Sequence, residues 1–238
     1  MNNEICRKWY KKSYLTEGFG AQRLYPNEEL LRFIGSHFFQ VPFGNRKEIR
    51  VLELGCGSCA NLWMLAKEGF STYGIDISKE AIKLGEEMLK HWRVAGQAQL
   101  NVGDMMDLPY EENFFDVILD VLSTHCLRME SFKSCLGEAR RVLKHNGYFF
   151  SYAISTNSDA FKNFKPAKKI DAFTLDGIKR KSSPYCGNNY PTRFISPRSY
   201  KKFLEESGFR VVYLETVSKT SRNMKERFEF ISVIGKKI

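Results

Sequence analysis

The side chains best placed to do chemistry in this 238-residue chain are two carboxylates, Glu53 and Asp76, separated by a bend that carries Gly55 and Gly57. Glu53 lies in the short apolar run Val51-Leu-Glu-Leu54, and Asp76 closes a second run, Thr72-Tyr-Gly-Ile75, 23 positions after Glu53. A bare bend lets main-chain amides approach a ligand with no Cβ in the way. A carboxylate at the end of the next strand can accept hydrogen bonds from both hydroxyls of a ribose. Order and spacing are those of a β-turn-α-β unit that holds a nucleoside-containing ligand. A tight turn and an N-capping aspartate would explain either feature alone, but not glycines, helix and strand-end acid in succession.

Elements of the right type flank these residues. The runs 51–54 and 72–75 have the length of strands buried in a parallel sheet. Between them 60–68 carries Leu62, Leu65 and Ala66 at helical spacing and stops at Gly69. Downstream, helices are predicted over 78–89, behind a serine cap, and over 129–144; strands are predicted over 97–102, from 117, and over 148–153. The chain then offers a last helix over 199–207 and strands over 210–214 and 228–234. Near the start, Pro26-Asn-Glu-Glu-Leu-Leu-Arg-Phe-Ile reads as a helix with proline at its beginning.

Glu53-Leu-Gly-Cys-Gly57, Asn101-Val-Gly-Asp104-Met105, Phe114-Phe-Asp-Val-Ile-Leu-Asp120 and Glu138-Ala-Arg-Arg-Val-Leu-Lys-His-Asn-Gly147 follow one another in the order found in class I S-adenosylmethionine-dependent methyltransferases, and over about 50–151 the chain resembles that family. The resemblance implies a three-layer, Rossmann-like α/β fold with a seven-stranded sheet, mostly parallel, whose last strand is antiparallel. It implies S-adenosylmethionine as cofactor: Glu53, Gly55, Cys56 and Gly57 at the methionine end, Asp76 and Ile77 at the ribose, and Asp104 and Met105 at the adenine. Asp120 then stands at the strand end that faces the transferring methyl. One position departs from the pattern, since Cys59 occupies the place of the usual third glycine. That glycine allows close packing of helix on strand, so a slightly wider fit or a displaced helix start is expected. A dehydrogenase would keep the glycine triad and would have no use for the Asp104 segment.

Methyl transfer from a sulfonium is an in-line displacement, in which a hydroxyl acceptor wants a base. His125, just past Asp120, is the candidate catalytic residue; His37, His91 and His145 read as surface positions. The first 154 residues hold 19 basic and 19 acidic side chains, whereas the remainder holds 18 and 8, so the whole excess of +10 lies after the fifth strand. Residues 155–197 contain Lys162, Lys165, Lys168, Lys169, Lys179, Arg180, Lys181 and Arg193, a surface that would steer an anionic acceptor. The aromatics interleaved there, Tyr185 and Tyr190 among them, could stack on bases, but no RNA-binding module is visible. A small phosphorylated or carboxylated metabolite is therefore expected as acceptor, ahead of RNA; a non-catalytic binding subunit is the alternative of another class. Tyr10, Tyr14, Arg23, Tyr185 and Arg193 are the candidate acceptor contacts.

Length and the lack of linkers, repeats or low-complexity tracts predict a single domain: 1–45 a helical cap, 46–154 a cofactor-binding core, 155–197 a basic acceptor-side insertion, and 198–238 a closing helix and strands. No apolar run of 18 residues and no secretory leader is present, so a cytoplasmic protein without membrane attachment is expected. Cys56-x-x-Cys59 has metal spacing without a second pair, and no metal is expected; the six cysteines read as reduced thiols.

Overall fold

In the computed structural model, which describes residues 2–238, Val51 packs on one side of the central sheet and Leu52 and Leu54 on the other, all without solvent contact. That is the condition of a strand covered by helices on both faces. This strand, β1 (Arg50–Leu54), is joined by β2 (Ser71–Asp76), β3 (Ala98–Val102), β4 (Phe115–Val121), β5 (Leu143–Ile154), β8 (Phe209–Ser221) and β9 (Glu226–Lys237) in the order β3-β2-β1-β4-β5-β9-β8. The first five run parallel, and β9 is antiparallel to both β5 and β8.

Helices α2 (Glu28–Phe38), α3 (Leu62–Lys67) and α4 (Lys79–His91) bury Leu30, Phe33, Leu65 and Ile82 against one face; α5 (Met129–Val142) and α7 (Pro197–Glu206) bury Phe132, Leu136, Tyr200 and Leu204 against the other. Chain order reverses between β1 and β4, so the crevice at their carboxyl ends is where such a sheet takes a ligand. Over it lies α1 (Asn2–Glu17), which packs on α4 and is tied to it by Lys11 and Glu80, 3.6 Å apart.

Between β5 and α7 the insertion forms a one-turn helix, α6 (Asp159–Lys162), and a small two-stranded sheet of β6 (Thr174–Leu175) and β7 (Thr192–Arg193). Buried carboxylates on β9 pin it. Glu229 accepts from Ser155 Oγ and Asn157 Nδ2, both at 2.8 Å, and Glu226 accepts from Arg180 Nε at 2.8 Å and Ser182 Oγ at 2.6 Å.

Several boundaries differ from expectation for local reasons. The helix predicted over 129–144 ends at Val142, because Leu143 already pairs with Phe115 in the sheet. The last two strands extend well past their apolar alternation, since a tight connection through Arg222, Asn223 and Met224, all at positive φ, zips Ser221 against Glu226. Among the described residues no helix is long and apolar enough to cross a membrane.

Candidate functional site

The carboxyl ends of β1, β2 and β4, together with α1 and the insertion, enclose a cavity of about 400 Å³. At the end of β1 the chain bends through Gly55 at φ 63°, where an added Cβ would fall 1.8 Å from Ser123 Oγ. Only glycine fits between this bend and the turn after β4.

Glu53 is 2% exposed. Its Oε1 accepts from Asn61 Nδ2, and Asn61 Oδ1 in turn accepts from Asn27 N at 3.0 Å, which links the carboxylate to the residue that caps α2. Glu53 Oε2 and Arg23 Nε are both buried without a hydrogen-bond partner, and both residues line the cavity. Burial pushes the Glu53 carboxyl up to about 8 against the opposing effects of Asn61 and Arg23. Asp76 accepts from Gly57 N at 3.0 Å and Ser78 N at 2.9 Å; burial nevertheless raises it to about 6. On the next strand end Asp104 accepts from Met106 N at 2.9 Å, beside Met105 on the same wall.

Of the residues singled out from sequence, Glu53, Gly55, Cys56, Asp76, Ile77, Asp104, Met105, His125, Tyr10, Tyr14, Arg23 and Tyr185 line this one cavity. Three stand elsewhere. Gly57 is not itself on the lining, and a Cβ there would meet Tyr14 Oη at 3.0 Å. Asp120 lies under the cavity floor, its oxygens taken by Ser123 N at 3.2 Å, Thr124 N at 2.9 Å, Thr124 Oγ1 at 2.7 Å and Ser151 Oγ at 2.8 Å. Arg193 is buried off the cavity lining: its guanidinium lies 3.5 Å from the Phe132 ring centre and donates to Thr124 Oγ1 at 3.0 Å.

None of the insertion's basic residues lines the cavity; its cations are Arg7 and Arg23. Lys179 pairs with Asp176 at 2.7 Å, Arg180 with Glu226, and Lys162, Lys165, Lys168, Lys169 and Lys181 are exposed. Instead the wall here is aromatic, with Trp9, Tyr10, Tyr185, Tyr190 and Phe228. His125 sits among them, its Nε2 3.4 Å from Tyr190 Oη and 3.7 Å from Cys126 Sγ, and its Nδ1 buried without a partner. His37, expected at the surface, is half-buried against Tyr148, with ring centres 5.1 Å apart.

Asn61, Cys6, Cys126 and Trp9 also line the cavity and are not among the candidate contacts read from the sequence. Cys6, Tyr10 and Tyr14 recur every fourth position, and that periodicity was a legible sign of one helical face turned to the site. The Cys126 contacts had no such sign, because they join segments far apart in the chain.

The chain belongs to the family defined by a methyltransferase domain, which it matches over residues 45–208. It is 32% identical over 153 residues to a phthiotriol/phenolphthiotriol dimycocerosates methyltransferase of Mycobacterium tuberculosis, covering 63% of this chain and 50% of that protein. An uncharacterized protein of Methanocaldococcus jannaschii is 29% identical over 144 residues, 58% of each chain. The chain thus spans about half the length of the curated relatives it matches. Among solved structures, the Burkholderia thailandensis 1,6-didemethyltoxoflavin-N1-methyltransferase, with 1,6-didemethyltoxoflavin and S-adenosylhomocysteine bound, superposes with a TM-score of 0.64 at 12% identity over 100% of this chain and 90% of that one. That likeness is one of fold.

Proposed function

We propose that this chain transfers a methyl group from S-adenosylmethionine to a small aromatic acceptor. The observation that carries the reading is the pair of orphaned buried atoms, Glu53 Oε2 and Arg23 Nε, at one end of a cavity whose other walls suit a nucleoside. A buried carboxylate and guanidinium left open in this way are complementary to an ammonium and a carboxylate, the two charges of an amino-acid tail. Asp76 would take the ribose hydroxyls and Asp104 with Met105 the adenine, while Gly55, Cys56 and Ile77 supply backbone and packing along the ligand.

When bound, the donor supplies an electrophilic methyl on a sulfonium. The remaining tasks fall to the protein. In this reading residues 1–45 cap the cavity, 46–154 hold the donor, 155–197 furnish the acceptor wall and 198–238 complete the sheet. Trp9, Tyr10 and Tyr14 from α1 close over the site with Tyr185 and Tyr190, which excludes water and orients a flat ring. His125 offers Nδ1 as the atom that takes the acceptor's proton. Burial disfavours its charged form, but the adjoining Cys126 sulfur outweighs this and raises the imidazole's affinity for a proton. The anionic acceptor anticipated from composition finds less support here, because the cavity draws no cation from the insertion. Six cysteines held as thiols suit a reducing compartment, and we place the reaction in the cytoplasm.

Thermal shift tests the donor. A ligand at about 100 times its dissociation constant stabilises by roughly 2.7 kcal/mol, which for a chain of this size raises the melting temperature by roughly 5–10 °C. S-adenosylmethionine and its demethylated product are expected to do so and NAD is not. A shift with NAD alone would overturn the proposal. Transfer of labelled methyl to a panel of phenols and aromatic amines, set against phosphorylated metabolites and RNA, then ranks the acceptors.

A further inference from the structure

Methyl transfer leaves one cluster on the cavity wall without a complete explanation. Cys126 closes the short 3₁₀ turn after β4, facing Cys6 and Tyr10, which lie one helical turn apart on α1. His125 Nε2 is 3.7 Å from the Cys126 sulfur, and Cys6 and Tyr10 line the same cavity and bear on the protonation of that sulfur. Tyr10 Oη in turn lies 3.0 Å from Tyr190 Oη, which is 3.4 Å from His125 Nε2. An imidazole from the turn after β4 and two side chains of α1 therefore border a single sulfur. Such an arrangement holds a thiol ionised, whereas an uncharged buried cysteine needs none of it.

The two sulfurs are not equivalent. Hydrogen bonding from Cys6 and the neighbouring imidazole push Cys126 well below the ordinary thiol range, while Cys6, donating to that sulfur and buried, is pushed up. With an imidazole nitrogen 3.7 Å away, Cys126 is the nucleophile of the pair, and Cys6, on the wall of the same cavity, is its protonated neighbour. A second observation points to a ligand: His125 is more than nine-tenths buried, lines the cavity, and has Nδ1 unpartnered. The remaining cysteines are differently placed. Cys56 and Cys59 pack toward Gly74 and Gly85, Cys135 lies in the core beside α5, and Cys186 is exposed on the insertion.

We propose that Cys126 is a modification site for small hydroperoxides, with Cys6 as its resolving partner, so that oxidation ties α1 covalently to the cavity wall. The Cys126 thiolate attacks one peroxide oxygen; the S–O bond forms as the O–O bond breaks, and the departing oxygen leaves as water or alcohol with the proton held by His125. The sulfur has then lost two electrons and is a sulfenic acid. Cys6 attacks that sulfur, the S–S bond replaces the S–O bond, and the oxygen departs as water with the Cys6 proton. Two thiols and one hydroperoxide give one disulfide, one alcohol or water from the peroxide, and one water. Because α1 carries Cys6, Trp9, Tyr10 and Tyr14 onto the wall, the oxidised form has its cover fastened shut. None of these steps uses a methyl donor.

The full-length chain is treated with equimolar hydrogen peroxide at neutral pH, blocked with N-ethylmaleimide and mapped by mass spectrometry without reduction. A linked Cys6–Cys126 peptide is expected as the first product, with Cys186 still alkylated. In Cys6→Ser, dimedone is expected to label Cys126, and His125→Asn is expected to slow loss of the Cys126 thiol at least tenfold. First oxidation at Cys186, or a wild-type chain with Cys126 oxidised and Cys6 still free, would overturn the proposal irrespective of how any variant folds. Melting curves of both variants distinguish a lost proton donor from a lost fold: an unchanged oxidation rate in a folded His125→Asn protein would also overturn it.

Discussion

Glu53 is a carboxylate whose surroundings penalise its charge. Burial dominates, the carboxyl is raised to about 8, and Asp76 follows it to about 6. Both lie above the values of an unfolded chain, near 4. The protonated forms are therefore the ones the ligand-free fold prefers, and the stability they contribute is complete below about pH 4 and is lost as pH rises through 6 and then 8. Denaturant unfolding at pH 5 and pH 8.5 should show a decline in the wild-type chain that Glu53→Gln reduces. An equal decline in the variant would mean that the carboxylate is satisfied some other way. His125 carries the second prediction at this scale. His125→Gln should lower turnover of a hydroxyl acceptor by about 10²–10⁴, the usual worth of a positioned base, while leaving binding of S-adenosylhomocysteine intact by calorimetry. Unchanged turnover would remove the imidazole from the mechanism.

Elements meet at this site through sulfur and glycine. Cys59 takes φ 64°, and α3 starts at Leu62, two residues after the start read from the apolar spacing. The thiol is accommodated on α4, where a Cβ at Gly85 would fall 2.6 Å from Cys59 Sγ. The close approach usually made possible at the bend is thus made possible on the neighbouring helix. Gly85→Ala should cost about 1–3 kcal/mol as an overpacking change. Combined with Cys59→Gly, the cost should shrink, with a coupling of about 0.5–3 kcal/mol in a double-mutant cycle. Simple additivity in urea melts would show that the two positions do not share this space. Asn61 has a comparable linking role, since it joins Glu53 to the residue capping α2 and so couples the bend to a helix that contributes no cavity wall of its own.

Across the whole molecule, charge and cavity are segregated. The basic excess after Ile154 is spent on an exposed face, on an ion pair, Arg180 with Glu226, that anchors the insertion to β9, and on a guanidinium buried over Phe132. The cavity wall of the insertion is aromatic and polar, with Tyr185, Asn188, Tyr190 and Thr192. Replacing Lys162, Lys165 and Lys168 together by glutamine should leave the acceptor KM within about twofold, since exposed charges outside the cavity act mainly through screened long-range attraction. A much larger rise, lost at high salt, would restore the anionic acceptor.

The glycine bend, the strand-end acids and the order of strands and helices around 50–151 were legible because each is encoded locally: a bend needs bare backbone, a buried strand needs a short apolar run, and a helix needs its period. Sequence also fixed Glu53, Asp76 and Asp104 as candidates, all of which line one cavity. It could not distinguish Arg193 in the floor from a cation on the wall, nor place Asp120 beneath the site, because burial is set by what packs across from a residue rather than by its neighbours in the chain. The convergence of Cys6, Tyr10, His125, Cys126 and Tyr190 was invisible for the same reason. Only the folding of α1 and the insertion onto the carboxyl ends of the sheet gathers those side chains on one cavity and brings Tyr10 and Tyr190, 180 positions apart in the chain, within hydrogen-bonding reach.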